Sequence, residues 1–132
     1  MERQKKVIDA SIVVKWFQKE EHREEAIELR NEHINEQIII IVPEIIFLEV
    51  LNALRYKGGS KEELEEANNL LWDIQFQIEY MNQFLLKKAI DLTVQYDLTL
   101  YDAIYAALSQ IHGCPLITED EKLKKIPSAV EL

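Results

Sequence analysis

The sequence has a single cysteine, Cys114, so an internal disulfide is excluded and a reducing compartment is the natural setting. Glycine and proline are also scarce, three of each, and neither a low-complexity linker nor an internal repeat divides the chain. No apolar run approaches the roughly 18 residues that a membrane-spanning helix needs. The strongly apolar stretch Ile38 to Val42 is far shorter, and the polar start Met1 to Lys6 precedes no secretory core. A cytoplasmic protein away from membranes is expected. Positive charge is in deficit: 15 Lys plus Arg against 24 acids leave a net −9, which taken alone argues against a polyanionic partner. That objection weakens if several carboxylates surround divalent cations, because part of the charge then belongs to a metal site.

What is present describes one domain. A length of 132 residues, 48% apolar and 30% charged, suits a globular fold with a single core. Val7-Ile8-Asp9 reads as a buried first strand ending on an acid, followed by a helix over Ser11 to Phe17. Glu20 to Glu36 reads as a surface helix with a narrow apolar stripe. Ile38 to Val42 is β-branched without polar alternation, as in a strand covered on both faces. Pro43 is expected to end that strand and open the next helix, which runs to Tyr56 and stops at Gly58-Gly59. Ser60 with Glu63 predicts a capping box for a helix through about Gln75, and Gln77 to Met81 a third strand. Asn82 and Thr99 cap helices over 83–97 and 100–111, the latter closed by Gly113. Leu116-Ile117-Thr118 is a fourth strand, and Val130 to Leu132 an edge strand. Strands alternating with helices imply an α/β fold, a three-layer sandwich around a mostly parallel twisted sheet. Ligands of such sheets bind beyond the carboxyl ends of the strands.

Four acids stand where that rule directs attention. Asp9 ends the first strand, Glu49 lies within a helix apolar almost all round, Asp102 opens a helix, and Asp120 follows the fourth strand. Glu49 has Ile45, Ala53 and Tyr56 one and two turns away. An unpaired carboxylate there costs several kcal/mol or becomes protonated, so it needs a partner, with Arg55, Lys15 or a metal as candidates. Each acid has an ordinary reading as well. Asp9 fits a helix-capping turn, Asp102 a capping box with Thr99 that favours the helix dipole, and Asp120 a solvated acidic loop. Converging carboxylates, however, repel one another, and hard divalent cations such as Mg²⁺ or Mn²⁺ are the usual compensation. Zinc is disfavoured, since His22, His33, His112 and Cys114 show no recognised zinc spacing.

Four segments resemble the motifs of the PIN domain family, in the family's order and spacing. They are Val7-Ile8-Asp9-Ala10-Ser11, the helix Pro43 to Leu54 containing Glu49 and Asn52, the segment Leu98 to Leu108 with Tyr101-Asp102-Ala103, and Leu116-Ile117-Thr118-Glu119-Asp120. The resemblance implies a metal-dependent ribonuclease like the toxin half of VapBC-type toxin-antitoxin pairs. It implies an acidic quartet of Asp9, Glu49, Asp102 and Asp120, supported by Ser11, Asn52 and Thr118. Glu119 stands where many relatives have a small residue, which raises the question of which tail acid serves the site. In such chemistry one cation activates a water for in-line attack on phosphorus, and a second, roughly 4 Å away, stabilises the leaving oxygen. The implied reaction is endonucleolytic cleavage of RNA leaving a 3′-hydroxyl. Lys15, Arg55 and Lys122, with Lys5, Lys6, Lys57 and Lys124, are candidates to meet RNA phosphates.

Other acidic α/β sites fit less well. A haloacid-dehalogenase-type phosphatase needs an acid where Ser11 stands, and a receiver domain needs an adjacent acid pair at the first strand. The alternative of another class is a PIN-like interaction module without turnover. The family resemblance also implies a small antitoxin, and a basic one suits a chain of −9. A homodimer is expected through the helices 43–56 and 60–75, from Ile46, Phe47, Val50, Leu51, Leu54, Leu64, Leu70, Leu71, Trp72 and Phe76 as surplus apolar surface.

Overall fold

The computed structural model describes residues 2–132. Among them five strands form one sheet: β1 (Gln4–Ile8), β2 (Ile38–Pro43), β3 (Gln77–Glu79), β4 (Leu116–Ile117) and β5 (Ala129–Val130). Their order is β3-β2-β1-β4-β5 and every pairing is parallel. The helices are α1 (Ala10–Val14), α2 (Arg23–Ile34), α3 (Ile45–Tyr56), α4 (Lys61–Asp73), α5 (Gln83–Tyr96) and α6 (Leu100–His112). None is long and apolar enough to cross a membrane.

The β-branched run behaves as its composition demands. Ile38, Ile40, Ile41 and Val42 are buried in β2, and Val7 and Ile8 beside it in β1, so both faces of the central strands are covered. The chain steps from β1 to β2 to β3 in one direction, then returns across the sheet to β4 on the far side of β1. Right-handed crossovers therefore place α1 to α4 over one face and α5 and α6 over the other. The reversal makes β1 and β4 the switch point, where a cleft opens beyond the strand ends. Asp9 and Thr118 are the residues that leave those two strands.

The caps are where the side-chain chemistry puts them. Ser60 and Glu63 form a reciprocal capping box, Asn82 accepts from the Leu85 amide, and Thr99 accepts from the Asp102 amide. Gly113 closes α6 at φ 60°.

Several boundaries differ from the sequence reading. Pro43 ends β2 as expected, in register with Glu79, but α3 begins only at Ile45 and not at the proline. A strand terminus also tolerates the missing N–H, so the ring does not by itself announce a helix. Helix α1 stops at Val14, not Phe17, and α2 begins at Arg23, not Glu20, after His22 in the left-handed region. The intervening turn is drawn inward because the Trp16 indole donates to the Ala26 carbonyl at 2.8 Å.

The expected apolar surplus on α3 and α4 is largely absent from the surface. Ile46, Phe47, Val50, Leu54, Leu71 and Phe76 are buried in the core, and Leu51 and Leu64 pack partly against it. Leu70 and Trp72 remain exposed, and the Trp72 ring lies stacked on Phe47 with centroids 4.1 Å apart.

Candidate active site

Asp9 follows β1 at the switch point and is buried. It occupies the N-cap position of α1, yet its carboxylate caps nothing. Instead the Ser11 hydroxyl donates to Oδ1 at 2.6 Å and the Thr118 hydroxyl to Oδ2 at 2.8 Å. Each hydroxyl in turn accepts a backbone amide from the loop after β4: Glu119 N–H reaches Ser11 Oγ, and Asp120 N–H reaches Thr118 Oγ1, both at 3.0 Å. The two hydroxyls thus fix the carboxylate and pin the β4 loop against it. Burial pushes Asp9 up to about 6, against the lowering effect of the two hydroxyls, with repulsion from Asp120 and Asp102 adding to the rise.

Thr118 and Ser11 therefore explain why the loop residue after them matters. The loop turns at Asp120, whose carboxylate accepts the Lys122 amide at 2.8 Å. Glu119 is directed elsewhere, to within 3.9 Å of the Lys124 ammonium. Of the two tail acids, Asp120 is the one whose charge is felt by Asp9, Glu49 and Asp102.

Glu49 is half-buried on α3 and finds a partner that the sequence reading did not propose. The Tyr105 hydroxyl donates to its carboxylate at 2.5 Å, bridging α6 to α3 across 56 positions of sequence. Tyr105 is buried, and burial together with the Glu49 charge holds its phenol well above the usual range, so it remains a donor. Burial raises Glu49, partly offset by this hydrogen bond, and Asp102 and Asp120 raise it further. The spacing of Tyr105 one turn after Asp102 places both on one face of α6, which is the available sequence clue.

Asp102 sits in the first turn of α6, where Thr99 caps its amide. Burial raises its carboxyl and Asp120 adds to that, while Thr99 and the Lys122 ammonium pull the other way. The capping explanation thus accounts for the position of Asp102 but not for its acidic surroundings.

The candidate cations separate. Lys15 is buried away from Glu49, donating to the Glu21 carbonyl at 2.8 Å and lying 3.5 Å from Glu20, so neither its proposed pairing nor an RNA contact fits its position. Lys122 is exposed near Asp102. Arg55 and Asn52 are exposed and line an open groove of roughly 610 Å³ beside Glu49.

The carboxylates are close enough to raise one another, but among the described residues no three acidic, His or Cys side chains form a compact ligand cage. An all-oxygen donor set of repelling carboxylates, without a full complement of protein cations, suits a hard divalent ion that keeps part of its water shell. It does not suit a tightly caged metal.

Comparison with known proteins agrees with this architecture. The PIN domain family model matches residues 6–129. Ribonuclease VapC3 of Pyrobaculum aerophilum is 30% identical over 133 residues, covering 96% of this chain and 98% of that protein. A toxin-antitoxin complex from Klebsiella pneumoniae contains a chain of the same fold, with TM-score 0.70, 23% identity and 94% of each chain covered. Mycobacterium tuberculosis VapC20, described as a sarcin-ricin loop cleaving toxin, superposes with TM-score 0.76 at 14% identity, covering 93% of this chain and 95% of that one. With its motifs, its sheet order and a family match over nearly its whole length, the chain belongs to the PIN domain family.

Proposed function

We propose that this protein is an endoribonuclease that hydrolyses RNA phosphodiester bonds with Mg²⁺ or Mn²⁺, and that it is the toxin of a VapBC-type pair acting in the cytoplasm. The observation that carries the reading is that Asp9, Glu49 and Asp102 each feel the charge of Asp120, in a chain 30% identical to a VapC ribonuclease. An interaction module without turnover could use the clamp to pin the β4 loop, but it has no need of further carboxylates raised by one another's charge.

Asp9, Asp102 and Asp120, with Glu49 at the groove side, are the residues that would hold the cation. A divalent ion there supplies the Lewis acidity that makes water a nucleophile near neutral pH and offsets charge on the phosphate. The chain's own contribution is preorganisation. Ser11 and Thr118 prevent Asp9 from rotating, and Tyr105 does the same for Glu49. Lys122 and Arg55 provide the positive charge at the rim that a phosphate strand needs. A basic antitoxin is the proposed protein partner, drawn by the net −9, and the working assembly is proposed to be a homodimer.

The test is cleavage of a single-stranded RNA pool by the purified protein with millimolar Mg²⁺ or Mn²⁺. Asp102→Asn is expected to reduce the rate by about a hundredfold or more, the scale of losing one preorganised electrostatic group. EDTA should stop the reaction. RNA left intact by the native protein with either cation, or cut equally by Asp102→Asn, overturns the reading.

A further inference from the structure

Beyond Glu49 and Arg55, the lining of the groove beside Glu49 is not used by the chemistry described above, and it is unusual for a surface feature. Its floor is apolar, formed by Leu48 and Leu51 of α3 and closed on one side by Tyr101 at the start of α6. Leu48 is 72% exposed and Tyr101 60% exposed, so two large side chains present flat surface to solvent directly beside the carboxylates. Asn52 and Arg55 stand one and two turns along the same face of α3. Among the described residues both are exposed, and neither enters an ion pair or a side-chain hydrogen bond. The roughly 610 Å³ of space falls within the range of clefts that hold small ligands.

The groove joins the acidic site at two points. Glu49 lines both, and Tyr101 immediately precedes Asp102. A polynucleotide whose phosphate lies at the carboxylates can therefore lay an adjacent nucleotide along this groove. An aromatic face with an aliphatic floor stacks a base, while an amide and a planar guanidinium meet a base edge or its phosphate. The arrangement suits an unpaired base, because a base inside a duplex has neither its face nor its pairing edge free.

We infer that this groove is a nucleobase subsite, in which the base flanking the scissile phosphate of single-stranded RNA stacks on Tyr101 and Leu48 while Asn52 and Arg55 contact its polar edge. The inference rests on the ribonuclease reading and assigns the part of the substrate that sets specificity. Arg55 brings a positive charge to the groove lining, which favours an anionic strand there in a protein of net −9. Asn52 becomes a reader of the base.

The test uses a fluorescein-labelled RNA oligonucleotide built around a cut site mapped by sequencing 5′ ends, and the same strand with an abasic residue on either side of the cut. Tyr101→Ala is expected to raise KM about tenfold on the intact strand with kcat nearly unchanged, in keeping with the loss of one stacked base. Tyr101→Phe should restore the native value, because stacking does not need the hydroxyl. On the abasic strand lacking the stacked base, the native protein should already show the higher KM and Tyr101→Ala should add nothing. An unchanged KM in Tyr101→Ala, or an equal loss on every abasic strand, overturns the subsite; the second result would assign Tyr101 to protein packing. A native protein that cuts no RNA overturns the ribonuclease reading itself, whereas cleavage that ignores Tyr101 overturns only the subsite.

Discussion

Asp9 shows how the site trades stability for chemistry. Its folded-state pKa is raised from 3.8 to about 6, a gap worth about 3 kcal/mol at roughly 1.4 kcal/mol per unit. For a raised carboxyl the folded state binds its proton more tightly than the unfolded chain does. Below about pH 4 both states are protonated and this residue costs the fold nothing; as pH rises towards 6 and beyond, the folded state must hold a buried charge and stability falls. In EDTA-treated protein at pH 7.5, Asp9→Asn is therefore expected to melt several degrees higher than the native chain while losing activity. The difference should shrink as the pH is lowered towards 4. Ser11 and Thr118 can reorient their hydroxyls to suit an amide, so the substitution keeps the clamp largely intact. A variant that melts lower than native at pH 7.5 would mean that the clamp, not the charge, dominates the energetics at this position.

Among the elements, the contact between α3 and α6 holds the groove-side acid in place. Tyr105 is buried on α6 and its hydroxyl supplies the Glu49 hydrogen bond. Tyr105→Phe keeps the ring that fills the core but leaves a half-buried carboxylate without its donor. Activity is expected to fall by roughly tenfold to a hundredfold, the range for losing a partner that orients a ligand. The Mn²⁺ concentration for half-maximal activity should rise with it, and a change in melting temperature without a change in Mn²⁺ dependence would make Tyr105 purely structural. This contact also marks the limit of what the sequence discloses. The strands and helices are legible because β-branched runs, caps and helical spacing are local properties: the Ser60 box, the Asn82 and Thr99 caps and Gly113 all stand where the residues indicate. The acids at the switch point are legible through the ends of β1 and β4. Partners brought together by packing are not. Lys15 is a candidate cation for Glu49 by sequence, yet the turn after α1 buries it against Glu20 and Glu21, and the Tyr105 hydroxyl reaches Glu49 only through packing. Pro43 ends its strand but stays outside the helix for a local reason, since a strand end accepts it as readily as a first helical turn does.

For the whole molecule, the proposed homodimer has to bring together two copies of a chain with net −9. Like charges repel at long range, so a dimer must rest on apolar contact over a surface where acids are few. The surface expected on α3 and α4 is much reduced: Leu71, Ile46 and Val50 are fully buried within one chain, while Leu48, Tyr56, Leu70 and Trp72 stay exposed. Large exposed apolar side chains also run along α5, where Phe84, Ile90 and Val94 share one side of the helix with Lys87 and Asp91 between them. That mixed face, with balancing charges among its apolar residues, resembles an interface more than a core. Light scattering at tens of micromolar is expected to give twice the 15.5 kDa chain mass. Val94 is 83% exposed, so Val94→Glu should return the mass to that of one chain without lowering the melting temperature beyond the loss of the partner. Leu71→Glu should behave differently, because a charge at a fully buried position has no compensating partner and the chain should fail to fold. A single-chain mass for the native protein would remove the dimer, and a folded, dissociated Leu71→Glu would return the interface to α4.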